Sequence, residues 1–219
     1  VRQNNALLLC NFFLERIFAQ AIKSLNLAEG AFFLPNALRI LAIDDGAFKP
    51  KQKGKALLVG VISRQADRIE GILSTSVKVD GLDSTKKIIK MLQESRFKKE
   101  VDFLILNGIN FAGFNLVDLP LLSKELGIPA IAVLRKKPRM QKIEHALSNF
   151  PDKKKRMQLI EKAGEIFKAD KVFFQCQGAE PETIKTVLAA TVKYSSLPEP
   201  LRLAHLIASG ISLGESTRP

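Results

Sequence analysis

Leu38-Arg39-Ile40-Leu41-Ala42-Ile43 runs directly into Asp44-Asp45-Gly46, and this stretch decides how the rest of the chain is read. A short apolar run of this length is a buried strand, and it delivers two carboxylates to its C-terminal end. Two more strands follow, at residues 56–63 and 71–79, joined by Arg64-Gln65-Ala66-Asp67-Arg68, which has the make-up of a hairpin turn. The apolar period then changes. Asp83-Ser84-Thr85 offers N-cap chemistry, and Ile88, Ile89, Met91 and Leu92 mark a helix to about Ser95.

From there helices and strands alternate. Strands are expected at residues 101–106, 129–134 and 171–175. Helices are expected at 116–126, stopped by Gly127, and at 142–150, 154–167, 181–192 and 200–209, with a loose tail after Gly210. Three consecutive strands followed by alternation predict an α/β mixed sheet. The first three strands form an antiparallel meander, parallel units follow, and helices cover both faces. Ahead of this domain, residues 6–25 carry Leu9, Phe12, Phe13, Ile17 and Ala21 at helical spacing. Residues 1–36 are read as a helical extension and 37–219 as one domain. Two other readings stay open for the extension. Arg2 and Ala19-Gln20-Ala21 resemble parts of a cleaved leader, although Glu15 and Arg16 interrupt its apolar stretch, and a chain starting near Ala37 is the third possibility.

The 219 residues carry a net charge of +12, with a pI near 9.8. Such an excess suits a polyanionic partner, or a lysine-rich surface of the kind found in heat-adapted proteins. Cys10 and Cys176 show no metal spacing and no disulfide framework, which suggests a reducing, cytoplasmic compartment. No apolar run reaches the roughly 18 residues of a membrane span. Neither a phosphate-binding glycine loop nor a nucleophile elbow is present.

The chemistry-bearing residues are acidic. Asp44 and Asp45 end the first strand, Asp80 and Asp83 stand between the third strand and a helix, and Asp118 follows the fourth strand. Carboxylates converging on one sheet edge repel one another and need a cation or protons. A hard divalent ion bound by oxygen ligands is the usual answer, and it can activate water against a phosphodiester. The competing reading is structural: Asp before Gly is a common turn residue, and Asp83 suits a helix cap. Lys49, Lys51, Lys53 and Lys55 alternate in the first loop, Arg135-Lys136-Lys137-Pro138-Arg139 follows a buried strand, and Lys153–Arg156 opens a helix. Charge runs are commonly solvated faces, but Arg135, Lys136, Lys137 and Arg139 sit where site loops follow a strand and are suited to phosphates. Gly113, Phe114 and Asn115 are grouped with them as a segment able to approach a nucleic-acid backbone, with core packing as the competing role for Phe111 and Phe114. His145 and His205 fall in helical patterns far from the acids and are read as surface or packing residues.

Ile43-Asp44-Asp45-Gly46-Ala47-Phe48, Val79-Asp80-Gly81-Leu82-Asp83-Ser84-Thr85 and Gly113-Phe114-Asn115-Leu116-Val117-Asp118 resemble the archaeal endonuclease dU family, itself similar to endonuclease V. The likeness runs from about Leu38 to Arg218. Leu197-Pro198-Glu199-Pro200-Leu201-Arg202-Leu203-Ala204-His205 is similar to a segment of endonuclease V itself. The resemblance implies a ribonuclease H-like fold and a magnesium- or manganese-dependent endonuclease acting beside deaminated bases, on DNA in preference to RNA. It makes Asp44 the leading metal ligand, puts Asp83 in approximate register with a family glutamate, and leaves Asp80 as a nearby substitute. Asp118 joins them as a catalytic candidate. Asn107 stands where endonuclease V has an aspartate, and Gln177-Gly178-Ala179-Glu180 where its histidine is expected. Those departures motivate the alternative of a non-catalytic nucleic-acid-binding protein on a nuclease scaffold.

Overall fold

Strand β1 (Arg39–Asp45) is buried along Ile40–Asp44 because it is flanked on both sides and covered on both faces. The computed structural model describes residues 38–49 and 53–219, so the expected helix at 6–25, the leader readings and Lys51 lie outside the described residues. After β1 come β2 (Lys55–Arg64), β3 (Arg68–Lys78), α1 (Ser84–Gln93), β4 (Phe103–Asn107), β5 (Asn110–Phe111), β6 (Asn115–Leu116) and α2 (Leu119–Leu126). Then follow β7 (Ala130–Leu134), α3 (Met140–Leu147), α4 (Lys153–Lys162), β8 (Phe167–Ala169), β9 (Val172–Gln177), α5 (Pro181–Thr191) and α6 (Glu199–Leu213).

The seven-stranded sheet has the order β3-β2-β1-β4-β7-β9-β8. β1, β2 and β3 form the expected antiparallel meander, and β1, β4 and β7 run parallel. The expectation that the sheet stays parallel needs correcting at its far edge: β9 is antiparallel to β7 and forms a hairpin with β8. The apolar spacing of residues 154–167 predicts one helix. Instead α4 stops at Lys162, because Gly164 adopts φ +86°, and Phe167 pairs across the hairpin with Phe174, ring centroids 5.5 Å apart. A second small hairpin, β5–β6, occupies a stretch that looks like plain loop in the sequence.

Strand alternation sorts the side chains. Leu41 and Ile43 join Leu104, Leu106, Ile88 and Leu122 in the main core under α1 and α2. On the opposite face, Val59 and Val61 of β2 pack against Ala204 and Ala208 of α6. Asp44 is the register partner of Val59, so it shares the α6 face, whereas Asp45, opposite Leu58, faces the main core. α6 comes close to the end of β1 because Gly46 has no side chain: a Cβ there would lie 2.9 Å from the Ala208 carbonyl oxygen. Ser212 completes the junction by accepting from the Ala47 amide at 2.8 Å. α6 continues to Leu213, and the chain beyond it is not loose. Ser216 Oγ donates to the Leu206 carbonyl at 2.8 Å, and the Thr217 amide donates to Ser209 Oγ at 3.2 Å.

Arg156 ties the hairpin to the β3–α1 connection. Its side chain is 4% exposed, paired with Asp152 at 2.7 Å, and stacked over Phe150 at 4.4 Å. It donates to the carbonyls of Asp80 (2.8 Å), Gly81 (3.2 Å) and Phe114. Removing such a buried, fully used cation strands several acceptors. Arg156→Ala is expected to lose about 3 kcal/mol or more of stability in a urea titration, whereas alanine at the exposed Lys154 next to it changes little.

Candidate functional site

The C-terminal ends of β1 and β4 present a buried carboxylate, and three donors satisfy it. Asp44 is 2% exposed. Its Oδ1 accepts from its neighbour's amide, Asp45 N, at 2.9 Å and from Asn107 Nδ2 at 3.0 Å. Its Oδ2 lies 2.8 Å from His205 Nδ1. An ionised carboxylate only accepts, so it fixes the proton on Nδ1 and turns Nε2 outward, where Thr217 Oγ1 stands 3.0 Å away. Three elements therefore converge on one charge: β1 carries it, the parallel neighbour β4 supplies the amide, and α6 supplies the imidazole.

The reading of His205 as a surface or packing residue is corrected by this contact. The imidazole at Asp44 comes from α6, and the segment after β9, Gln177-Gly178-Ala179-Glu180, contains no histidine. The two partners lie 161 residues apart, so no local spacing could reveal them. The only signal was the likeness of residues 197–205 to endonuclease V.

The other acids are held elsewhere. Asp45 turns to the main-core face, where its Oδ2 accepts from the Ala112 amide at 2.6 Å. The Ala112 carbonyl in turn accepts from the Asp80 amide at 2.8 Å. Asp80 sits at φ +53°, and its Oδ1 accepts from the Phe114 amide at 2.9 Å. Gly113 admits this arrangement, since a Cβ there would collide with that oxygen. Asp83 occupies the N-cap position of α1 without capping it. Its Oδ1 accepts instead from the Lys78 amide at 3.1 Å and from Asn115 Nδ2 at 2.6 Å. Asp118 caps α2 through the Leu121 amide at 3.0 Å and pairs with Lys162 at 3.1 Å.

The grouping of Gly113, Phe114 and Asn115 also changes. Asn115 is fully buried, accepts from the Ser84 amide, and donates to the Lys78 carbonyl and Asp83, so its side chain is committed to the fold. Phe114 is half-buried against Phe150, ring centroids 5.4 Å apart. Arg135, Lys136, Lys137 and Arg139 are exposed on the loop after β7, and among the described residues none makes an ion pair.

The donor sets bear on a cation. Among the described residues, no three His, Cys, Asp or Glu side chains gather as metal ligands. Asp44, Asp80 and Asp83 therefore do not form one site, and their hydrogen bonds explain why: Asp80 and Asp83 each spend an oxygen on backbone amides of the β3–α1 connection and the hairpin. The oxygen ligands present here that a hard cation could use are the Asp44 carboxylate and the Asn107 amide oxygen.

A family model described as Endonuclease dU matches residues 36–212. A UPF0215 protein of Methanothermobacter thermautotrophicus is 42% identical over 187 residues, covering 84% of this chain and 92% of that one. A protein of unknown function from Archaeoglobus fulgidus has a similar solved structure, with TM-score 0.76 and 35% identity over 81% of this chain and 99% of that one. Endonuclease V of Bacillus subtilis matches with TM-score 0.55 and 12% identity, over 90% and 89% of the two chains. Endonuclease V of Ciona intestinalis, solved with a 23mer DNA containing an inosine followed by a ribo-adenosine, matches at 0.52 and 13%, over 84% and 89%. The two endonuclease V likenesses are likenesses of fold.

Asp45 generates a test of this electrostatic layout. Burial, opposed by the Ala112 hydrogen bond and reinforced by repulsion from Asp44, pushes its carboxyl up to about 6. A folded pKa above the unfolded value, about 3.9, means that this group favours the fold most below pH 4 and that its contribution declines as pH rises through 6. Asp45→Asn keeps an acceptor for Ala112 and removes the charge. In chelator-treated buffer the variant should show a flatter stability profile between pH 4 and 7. It should match or exceed the parent above pH 7, by up to about 2 kcal/mol.

Proposed function

The chain belongs to the endonuclease dU family, and from that membership and the Asp44 cluster we propose a divalent-cation-dependent endonuclease that cuts nucleic acid beside a deaminated base. The observation carrying this reading is the contact of Asp44 with Asn107 and His205 at the ends of two parallel strands. Asp44 and Asn107 are the residues to hold Mg2+ or Mn2+. The ion, when bound, supplies charge stabilisation at the phosphate and a water of lowered pKa. His205, oriented by Asp44, offers Nε2 as the group that exchanges a proton once Thr217 gives way. Arg135, Lys136, Lys137 and Arg139 hold backbone phosphates.

A place for the base lies nearby. An apolar cavity of about 430 Å³ opens between the β5–β6 hairpin, the end of β7, α3 and α4, lined by Phe114, Leu134, Met140, Ile143, Ile160 and Ile166. Asn107 is the register partner of Val133, and the next residue, Leu134, turns to the main-core face, so cavity and amide lie at the same ends of β7 and β4 but on opposite faces of the sheet. A base lifted from its stack would be read there against apolar walls and the polar ends of Asn110 and Gln175.

The second reading, binding without cleavage, draws on a specific observation. Both Asp44 oxygens are already satisfied by hydrogen-bond donors, so the carboxylate persists without a cation. Oligonucleotides containing deoxyuridine or deoxyinosine, incubated with Mg2+ or Mn2+, separate the two. Cleavage is expected, with Asp44→Ala and His205→Ala each slower by about 100-fold or more. Metal-dependent cutting at an unchanged rate in Asp44→Ala contradicts the roles assigned. Binding with no cutting under any metal favours the second reading. Independently, replacing Arg135, Lys136, Lys137 and Arg139 with alanine should weaken binding and flatten its salt dependence by roughly one unit of log–log slope for each phosphate that is no longer neutralised.

A further inference from the structure

Four exposed lysines, Lys49, Lys53, Lys55 and Lys78, gather at the edge of the sheet where β1 ends in Asp44. The first three line a cavity of about 390 Å³ together with Phe48, Ser212 and Leu213, and no carboxylate lines it. Lys78 joins them because it stands directly opposite Lys55 in the antiparallel register of β2 and β3. Like charges facing each other across two strands are destabilising. Among the described residues, none of the four makes an ion pair. The other end of the same two strands shows how such a cluster is neutralised from within. There Arg39, Arg64 and Arg68 converge, and the Glu70 carboxylate pairs with all three. At the lysine end α6 stops at Leu213, and its C-terminus offers about half a negative charge against four cations.

Converging cations without a counter-charge fit an anion that comes from outside, and their place in the sheet narrows which one. Asp44 is the register partner of Val59, and Val59, Leu57 and Lys55 alternate onto one face, so Lys55 and Lys78 share the face of Asp44. The four residues from Val59 to Lys55 span about 14 Å along β2, the length of about four nucleotides at 3.4 Å each. In the sheet order, β2 and β3 lie on one side of β1, and β7, with Arg135–Arg139 after it, lies on the other. Asp44 therefore stands between two groups of unpaired cations, as a bond to be cut stands between the phosphates on its two sides. We propose that Lys49, Lys53, Lys55 and Lys78 form a phosphate-binding site for the backbone of the nucleic-acid strand, about four nucleotides from the position held at Asp44. The proposal rests on the nucleic-acid reading above and adds the second grip on the strand. These lysines touch no reacting atom and act as positioning residues.

The test is binding of the full chain to a labelled single strand with a central deoxyuridine, in EDTA so that nothing is cut. The variant Lys53→Gln with Lys55→Gln should bind about 10- to 30-fold more weakly at 0.1 M salt, its log–log salt slope reduced by about 0.7 for each phosphate released. Its melting temperature should be unchanged or raised, since a like-charge pair is relieved. The control is Lys98→Gln with Lys99→Gln, an equal change of charge on exposed residues before β4, at the opposite end of the sheet. It should bind as the parent does. Shortening the strand to fewer than about four nucleotides on one side of the deoxyuridine should abolish the difference between parent and variant, and shortening the other side should preserve it. Equal weakening in the control, a difference that survives both shortenings, or parental affinity in the variant overturns the lysine site and leaves the nuclease reading standing. Tripolyphosphate that raises the melting temperature of the parent but not of the variant, with oligonucleotide affinity equal in both, assigns the cavity to a free phosphate compound and overturns it as well. Failure of the parent to bind any oligonucleotide overturns both readings.

Discussion

A carboxylate that is 2% exposed must be compensated, and the meeting of β1, β4 and α6 is arranged around that need at Asp44. An unpaired buried charge costs several kcal/mol, enough to erase a large part of a domain's net stability. Asn107 can reach it only because β4 lies parallel beside β1, and His205 only because α6 packs on that face. Gly46 and Ser212 permit the close approach, and Thr217 returns to hold the outer nitrogen of the imidazole. Site and tertiary structure are thus one constraint: docking α6 is also what makes Asp44 tolerable.

The remaining acids of the same region work on the opposite face of β1 or away from the sheet. Asp45, through Ala112, meets the loop of Asp80, and the carbonyls of Asp80, Gly81 and Phe114 close on Arg156. Charge is used twice along this edge: once buried between three donors at Asp44, and once as scaffolding.

Much of the fold was legible in the sequence because strands covered on both faces read as continuous apolar runs. β1, β2, β4 and β7 were each visible within a few residues of their bounds. β8 was hidden because three residues leave no period, and Phe167 falls at helical spacing from the residues of α4; Gly164 was the one local sign of a break. At the site, Asp44 was legible from its place at a strand end. Asp80 and Asp83 were grouped with it as secondary ligands, since sequence does not say which face of a sheet a residue after the strand will choose. Arg156 was hidden within a run of basic residues that are otherwise solvated, and His205 within an ordinary helical pattern. Pairings that span 161 and 76 residues leave no trace in local spacing.

The central claim is that Asp44 and His205 act as one unit. A double-mutant cycle on the cleavage rate of a deoxyuridine-containing oligonucleotide, comparing Asp44→Asn, His205→Ala and the pair, measures that directly. Coupled action predicts a double variant no slower than the worse single one, because the second change removes a group already idle. Rate losses that multiply would show the two side chains to be independent and would contradict the site as built here.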